Sequence, residues 1–440
     1  MARAMQTSPL QIWHPFTQQG SDAPPLHVRS ARGVYIETED GRRILDAISS
    51  WWVNLHGHAH PAIAEAIARQ ARVLEHVIFA GFTHEPAEEL VARLRLVVPP
   101  GLEHVFFSDD GSTAVEVALK LAVQYWHNIG RPEKNRIVAL EHAYHGDTVG
   151  AMSVSDDSPF TAAFDSLRVP VLRTHSAYCY RCPVGKIRAT CHIECLDQLR
   201  HLLEEQSGTI AAIIVEPLLQ AAGGMIVHPE EFLGGVRDLA SRHSVLLIAD
   251  EVLTGFGRTG KMFACERANV SPDMMCVSKG ITGGFLPLAA TMVTDEIARA
   301  FRGGPRERAF FHGHSYTGNP IACAAANANL EIFATEPVFE RIAAIERVHV
   351  ERLSRLRERP GVGDVRYIGS VGAIELDVAD PGYLSELRPK LYEFYLRRGV
   401  LLRPLGNVVY VLPPYAISYA ELNFVYDIIE ESLSLVANAG

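Results

Sequence analysis

Between about residues 60 and 330, short apolar runs alternate with stretches whose apolar positions recur every three or four residues. That alternation predicts a mostly parallel sheet covered by helices, an α/β architecture. Strands are expected at 105–108, 136–140, 209–216, 245–250 and 274–278, with polar or small residues at the ends where such sheets bind ligands. A helix is predicted after Gly111-Ser112, because Val115, Leu119, Ala122 and Trp126 fall on one face. Another is predicted from Pro61, a proline suited to a first helical turn, with Ile63, Ile67 and Leu74 on one side.

Beyond residue 330 the pattern changes to a long helix (336–358), a strand pair (365–376), a helix (384–398), an extended run (400–412) and a last helix. The expected organisation is therefore a large α/β domain over 60–330 and a smaller α+β domain over 331–440, which the segment 1–59 joins. No repeat of 20 to 50 residues is visible, which sets solenoids and propellers aside.

The chain has 440 residues, 48% of them apolar and 21% charged, which excludes a coiled coil or a largely disordered protein. Its formal charge is −10 and it has no Lys/Arg-rich block, so nucleic acid is not the expected partner. The longest apolar runs are of strand length, well short of the roughly 18 residues a membrane span needs. The first sixteen residues lack a secretory apolar core, and seven cysteines are too few for a disulfide framework, which points to a reducing, cytoplasmic setting.

Residues 255–260 place Gly255, Gly257 and Gly260 at G-x-G-x-x-G spacing, and Gly255 to Lys261 imitates a P-loop. Neither motif is complete. Met262 stands where a P-loop needs Ser or Thr, and four residues separate the strand from the glycines. Two readings stay open: a loop whose backbone approaches a ligand, or a plain turn.

The ends of two apolar strands carry more chemistry. Asp250 closes one, where a buried carboxylate needs a partner, and Lys279 closes the other, where desolvation frees a neutral amine for covalent chemistry. Each alone is as readily a structural ion-pair member. Together they suggest pyridoxal phosphate, which requires an amine for its aldehyde, an anion at its ring nitrogen and an anion site for its phosphate. Asp110-Gly111-Ser112-Thr113 at a helix start offers the third, although by itself the tetrad is simply an N-cap. In the run 142–146, Tyr144 could lie over the ring, or be core.

In that order, FSDDGSTAVEVALKLA, HAYHGDT, VEPLLQAAGG, ADEVLTGFGRTGKMFACE, VSKGITGG and FFHGHSYTGNPIACAAA resemble the class III pyridoxal-phosphate aminotransferases over nearly the whole chain. The resemblance implies a fold type I PLP-dependent transferase working as a homodimer with active sites at the subunit interface. It makes Lys279 the covalent anchor, Asp250 the partner of the ring nitrogen, Gly111 and Ser112 phosphate donors and Tyr144 the stacking ring. His314 and Ser315 match phosphate contacts supplied by the neighbouring subunit; the family more often has Pro-Thr there, and Ser315 keeps the hydroxyl. Within the class, WHPFTQ, SSWWVNLHGHAHP and LLRPLGNVVYVLPP resemble the biotin-pathway branch, which aminates 7-keto-8-aminopelargonate. By that likeness Trp51, Tyr144, Gly313 and Arg403 contact substrate, with Arg403 suited to a carboxylate, and Arg258 lies at the site's edge. Phe16 stands where S-adenosylmethionine-using members commonly have Tyr, and HGHSYTGN resembles lysine-using variants, so the amino donor stays open between the two. An ω-aminotransferase for another amine is the alternative within the class. A nicotinamide-dependent oxidoreductase would explain the glycine loop but leave Lys279 and Asp250 idle.

Cys179-x2-Cys182 and Cys191-x3-Cys195 put four cysteines within 17 residues, close to zinc-ligand spacing. Transamination needs no metal. A structural zinc or iron–sulfur centre and a loop of reduced thiols both remain open, and a metal-stabilised scaffold without catalysis would account for these four residues alone.

Overall fold

The computed structural model describes residues 12–18 and 24–437. Most of the N-terminal stretch read as lacking a secretory apolar core, residues 1–11, lies outside the described residues. Seven strands form the central sheet in the spatial order Leu102–Ser108, Ala289–Thr294, Met274–Val277, Leu246–Asp250, Ile210–Val215, Arg136–Leu140 and Leu172–Thr174. All neighbours are parallel except Ala289–Thr294, which is antiparallel to both of its neighbours. Ile210–Val215 and Leu246–Asp250 are buried throughout, so they read as unbroken apolar runs, as strands covered on both faces must. Ala289–Thr294 and Leu172–Thr174 were not predicted: the first follows Lys279 too closely to stand out, and the second is three residues long.

The helix Gly111–Asn128 buries Val115, Ala122 and Trp126 against this sheet, as the spacing predicts. Pro61–Ala71 ends sooner than its pattern suggested. Leu74 therefore lies beyond the helix, held through its carbonyl by the Gln70 side chain (2.9 Å), and Ile63, Ala66 and Ile67 carry the inward face.

Toward the C-terminus, Val338–Leu356, Leu387–Arg397 and Tyr419–Ala437 accompany a three-stranded antiparallel sheet of Val362–Ile368, Val371–Leu376 and Val408–Val411. The N-terminal strands Val28–Arg32, Tyr35–Thr38 and Arg43–Asp46 add Val400–Leu401 in parallel, so chain from both ends shares one sheet. Among the described residues no helix is long and apolar enough to cross a membrane.

One local feature departs from ordinary backbone. Ser49, Ser50, Trp51 and Trp52 have φ of 52°, 45°, 68° and 78°, a left-handed turn of four non-glycine residues. Each such residue costs about 1–2 kcal/mol, so the surroundings must impose it. They do so through buried Asp46, which accepts Ile48 N–H (3.2 Å), Ser50 Oγ–H (2.8 Å) and His58 Nε2 (3.0 Å). Ser49 Oγ–H donates to Leu412 O (2.8 Å) from the C-terminal part.

Candidate active site

Because Leu102–Ser108 runs in the same direction as the parallel strands, six strand ends converge on one edge of the sheet. There the loops enclose a cavity of about 710 Å³, a size suited to a small-molecule site. Its walls include Asp109–Ser112, Tyr144–Thr148, Glu216, Asp250, Ser278 and Lys279, so the predicted residues Gly111, Ser112, Tyr144, Asp250 and Lys279 meet at one place.

Asp250 ends its strand 5% exposed. Its Oδ2 lies 2.6 Å from His145 Nδ1, and its Oδ1 accepts Val252 N–H at 3.1 Å. His145 Nε2 is buried without a partner among the described residues. Lys279 follows the next strand with φ 38° and opens a single 3-10 turn, Lys279–Thr282. Asn329, buried in helix Pro320–Thr335, donates to the carbonyls of Gly280 (3.0 Å) and Ile281 (3.1 Å) and fixes that turn. The Lys279 amine lies 5.4 Å from the Trp52 ring centre. Desolvation lowers its pKa, while Asp250 and Glu216 pull upward, so the neutral amine is more available than on an ordinary lysine.

At the opposite wall Asp110 caps the helix: Thr113 N–H goes to its carboxylate (2.9 Å) and Ala114 N–H to its carbonyl (3.0 Å). That leaves the N–H groups of Gly111 and Ser112 at the positive end of an 18-residue helix, a natural anion seat. The loop crosses closely here. Gly146 has φ 128°, and a Cβ on it would run into Ser112 Oγ, which itself holds Thr148 N–H (3.0 Å). At Gly111 a Cβ would come 2.5 Å from Val252 Cγ1.

Sequence reasoning missed Glu216. It is buried one residue beyond its strand and accepts the N–H groups of Tyr144 (3.0 Å) and Ala221 (3.2 Å). Burial pushes its pKa up to about 7, with His145 opposing and Asp250 adding. An acid at the end of an apolar strand is the signal that marked Asp250, and it was present in VEPLLQ as well. Trp52 was missed in favour of its neighbour: Trp52 lines the cavity with Nε1–H on Tyr410 OH (3.0 Å), whereas Trp51 is 38% exposed.

The other predicted residues are spread around the site. Arg403 stacks on Trp51 (4.9 Å) without an acidic partner among the described residues. Phe16 meets Trp51 edge-on at 5.3 Å and Phe160 at 5.8 Å. Gly313, His314 and Ser315 form an exposed loop beside the cavity, with His314 Nδ1 3.4 Å from Asp109. Arg258, expected at the site's edge, is 1% exposed and donates to the carbonyls of Pro413 (3.1 Å), Trp52 (3.2 Å) and Asn54 (3.1 Å), tying down the left-handed turn whose Trp52 lines the cavity. The glycine loop also turns away from the cavity. A Cβ at Gly257 would meet Ile342 and Tyr415, so its glycines serve packing between chain segments, not a phosphate.

The four clustered cysteines are free thiols lining a separate small cavity. Among the described residues, only Glu103, His104 and Asp295 bring three possible metal-binding atoms within 4.8 Å of one another.

The chain is 46% identical over 423 residues to the adenosylmethionine-8-amino-7-oxononanoate aminotransferase of Synechococcus elongatus, covering 96% of this chain and 98% of that one. The protein of the same name from Geobacter sulfurreducens is 44% identical over 435 residues, covering 97% and 96%. The crystal structure of adenosylmethionine-8-amino-7-oxononanoate aminotransferase from Methanocaldococcus jannaschii superposes with a TM-score of 0.90 at 37% identity, covering 96% of each chain. The architecture is thus fold type I of the PLP-dependent transferases. The profile of the family described as aminotransferase class-III matches residues 16–433, and the chain belongs to that family.

Proposed function

We propose that the protein is a pyridoxal-phosphate-dependent aminotransferase of biotin biosynthesis, converting 7-keto-8-aminopelargonate to 7,8-diaminopelargonate with S-adenosylmethionine or lysine as amino donor. The observation that carries the cofactor is the meeting of Lys279, the Asp250–His145 pair and the free helix start at Gly111 in one cavity. These three match its amine, nitrogen and phosphate requirements, and the cradle at Gly111 and Gly146 admits no side chain. The substrate rests on the names of relatives that span nearly the whole chain.

When bound, pyridoxal phosphate supplies an electron sink for the carbon that loses its proton. Lys279 would hold it through its amine and would serve as the general base and acid that takes the proton from the substrate carbon and returns it in a 1,3 shift. Asp250 holds positive charge at the ring nitrogen, and His145 fixes the carboxylate that does so. Tyr144 covers the ring face, and Glu216 secures the Tyr144 backbone. Gly111 and Ser112 hold the phosphate, joined by His314 and Ser315 of a second copy. The exposed Phe311 (69%) and Tyr316 (62%) beside them support a homodimer. Arg403, Trp51 and Gly313 face the keto acid, and Phe16 stands beside them. Seven free thiols accord with a reducing, cytoplasmic setting.

The test is a direct assay of the purified enzyme with 7-keto-8-aminopelargonate, supplying S-adenosylmethionine and lysine in parallel. Product with either donor, with ping-pong kinetics, supports the reading. Turnover of gamma-aminobutyrate but not of the keto acid overturns it in favour of an ω-aminotransferase.

A further inference from the structure

Between Thr174 and Asp197 the chain carries only two 3-10 turns, Arg188–Thr190 and Glu194–Leu196. A connection of that length without regular structure needs another source of order. The segment is nevertheless docked: Tyr178 OH donates to Glu375 (2.6 Å), Arg181 pairs with the same carboxylate, and His175 N–H donates to Gln198 (2.8 Å). Ala177, Cys195 and Leu196 join the main core, and Ile193 packs against it. The segment also carries four sulfurs. Cys179, Cys182, Cys191 and Cys195 all border one small cavity, although Cys182 and Cys191 are nine positions apart in the chain.

Two tight turns present them. After Cys182 the chain reverses, with Gly185 N–H on Cys182 O (3.1 Å) and Gly185 at φ 67°. Between Cys191 and Cys195, Ile193 adopts φ 62°, a costly conformation for a β-branched residue, closed by Leu196 N–H on Ile193 O (3.0 Å). Cations stand at the rim: Arg188 Nη1 lies 3.8 Å from Cys191 Sγ, and Lys186 pairs with Glu194 at 3.6 Å.

We propose that Cys179, Cys182, Cys191 and Cys195 bind one zinc ion that organises this loop. Four sulfur donors select zinc or an iron–sulfur centre over hard cations. Isolated cysteine pairs at these spacings, on two turns facing one void, are the arrangement of a closed tetrahedral structural site. No three of the sulfurs lie within 4.8 Å of one another, whereas bound zinc would hold them about 3.8 Å apart, the tetrahedral consequence of a Zn–S distance near 2.3 Å. Neutral thiols do not attract one another, so the contraction comes with the metal. On binding, four S–H protons pass to solvent, four Zn–S bonds form and the net charge of the site is −2, with Arg188, itself paired to Glu231 at 2.9 Å, the cation nearest a sulfur. No oxidant or reductant is needed.

The experiment is metal analysis of the holoenzyme purified under reducing conditions from cells supplied with zinc, without metal-chelate chromatography. About one zinc per chain is expected. Cys182→Ser/Cys191→Ser should lose it and Cys323→Ser, buried elsewhere in the core, should keep it. Should the double variant fail to fold, mercurial titration of the wild type decides, because zinc must be released as four thiols react. Zinc below about one tenth of an equivalent, zinc retained by the folded double variant, release uncoupled from the thiols, or iron with acid-labile sulfide in its place overturns the proposal.

Discussion

His145 Nδ1 lies 2.6 Å from Asp250 Oδ2, with both side chains buried and His145 Nε2 without a partner among the described residues. Val252 N–H holds the other carboxylate oxygen, so the acid is clamped from both sides at the end of its strand. Asp250→Asn keeps the shape but removes the charge, and should lower kcat on the order of 100-fold or more, in the range for losing one fixed electrostatic group. His145→Gln should have a smaller effect. Cofactor absorbance and kcat measured on the same preparations check this; near-normal turnover of Asp250→Asn at full cofactor occupancy would reduce the pair to a structural contact.

Lys279→Ala should remove the borohydride-reducible bond to the cofactor and lower turnover by at least the roughly 10²–10⁴-fold that proton transfer contributes. The turn that carries it is held by Asn329 through backbone carbonyls, not through the lysine side chain. The melting temperature should therefore stay close to that of the wild-type apoenzyme.

Arg403 has no acidic partner among the described residues and lies 4.9 Å from the Trp51 ring centre, a guanidinium left available for a substrate carboxylate. Arg403→Ala should cost on the order of 2 kcal/mol or more in kcat/KM for the keto acid. Comparing the acid with its methyl ester isolates the charge. Wild type should prefer the acid, the variant should show little preference, and an unchanged ratio removes Arg403 from the substrate site.

Asp46 holds the left-handed turn through Ile48, Ser50 and His58. Asp46→Ala strands those groups in a buried place and should destabilise the protein by about 3 kcal/mol. Trp52 should shift away from Lys279 as the turn relaxes, so kcat/KM should fall along with the melting temperature. Full activity in a destabilised Asp46→Ala would separate the turn from catalysis.

Burial pushes the Glu251 carboxyl up to about 7 although it accepts Ala264 N–H (3.0 Å) and Cys265 N–H (2.8 Å). With the folded pKa above the unfolded value, the folded state binds the extra proton, and the stability this confers is complete below about pH 4.5 and lost as pH rises through 7. Thermal melts of wild type and Glu251→Gln at pH 5 and pH 8 test the sign. The wild type should lose more stability on going to pH 8, by up to about 3 kcal/mol.

The sequence by itself determined the α/β order, the large helix at Gly111, and the placement of Lys279 and Asp250 at the ends of buried strands, because each is a local property: a period of apolar residues, or a polar group at the end of an apolar run. Those signals survive without knowledge of what packs where. Tertiary structure decided the rest. The antiparallel insertion of Ala289–Thr294 depends on which edges remain free, not on its own residues. Arg258 reads as a site residue in a motif, yet its three carbonyl partners come from segments about 155 and 200 positions away, which no local pattern encodes. Trp52, not Trp51, faces Lys279 because a strained left-handed turn rotates the pair, and that strain is imposed by Asp46 and by Leu412 from the far end of the chain. Local propensity opposes such a turn, so only contacts distant in sequence could set it.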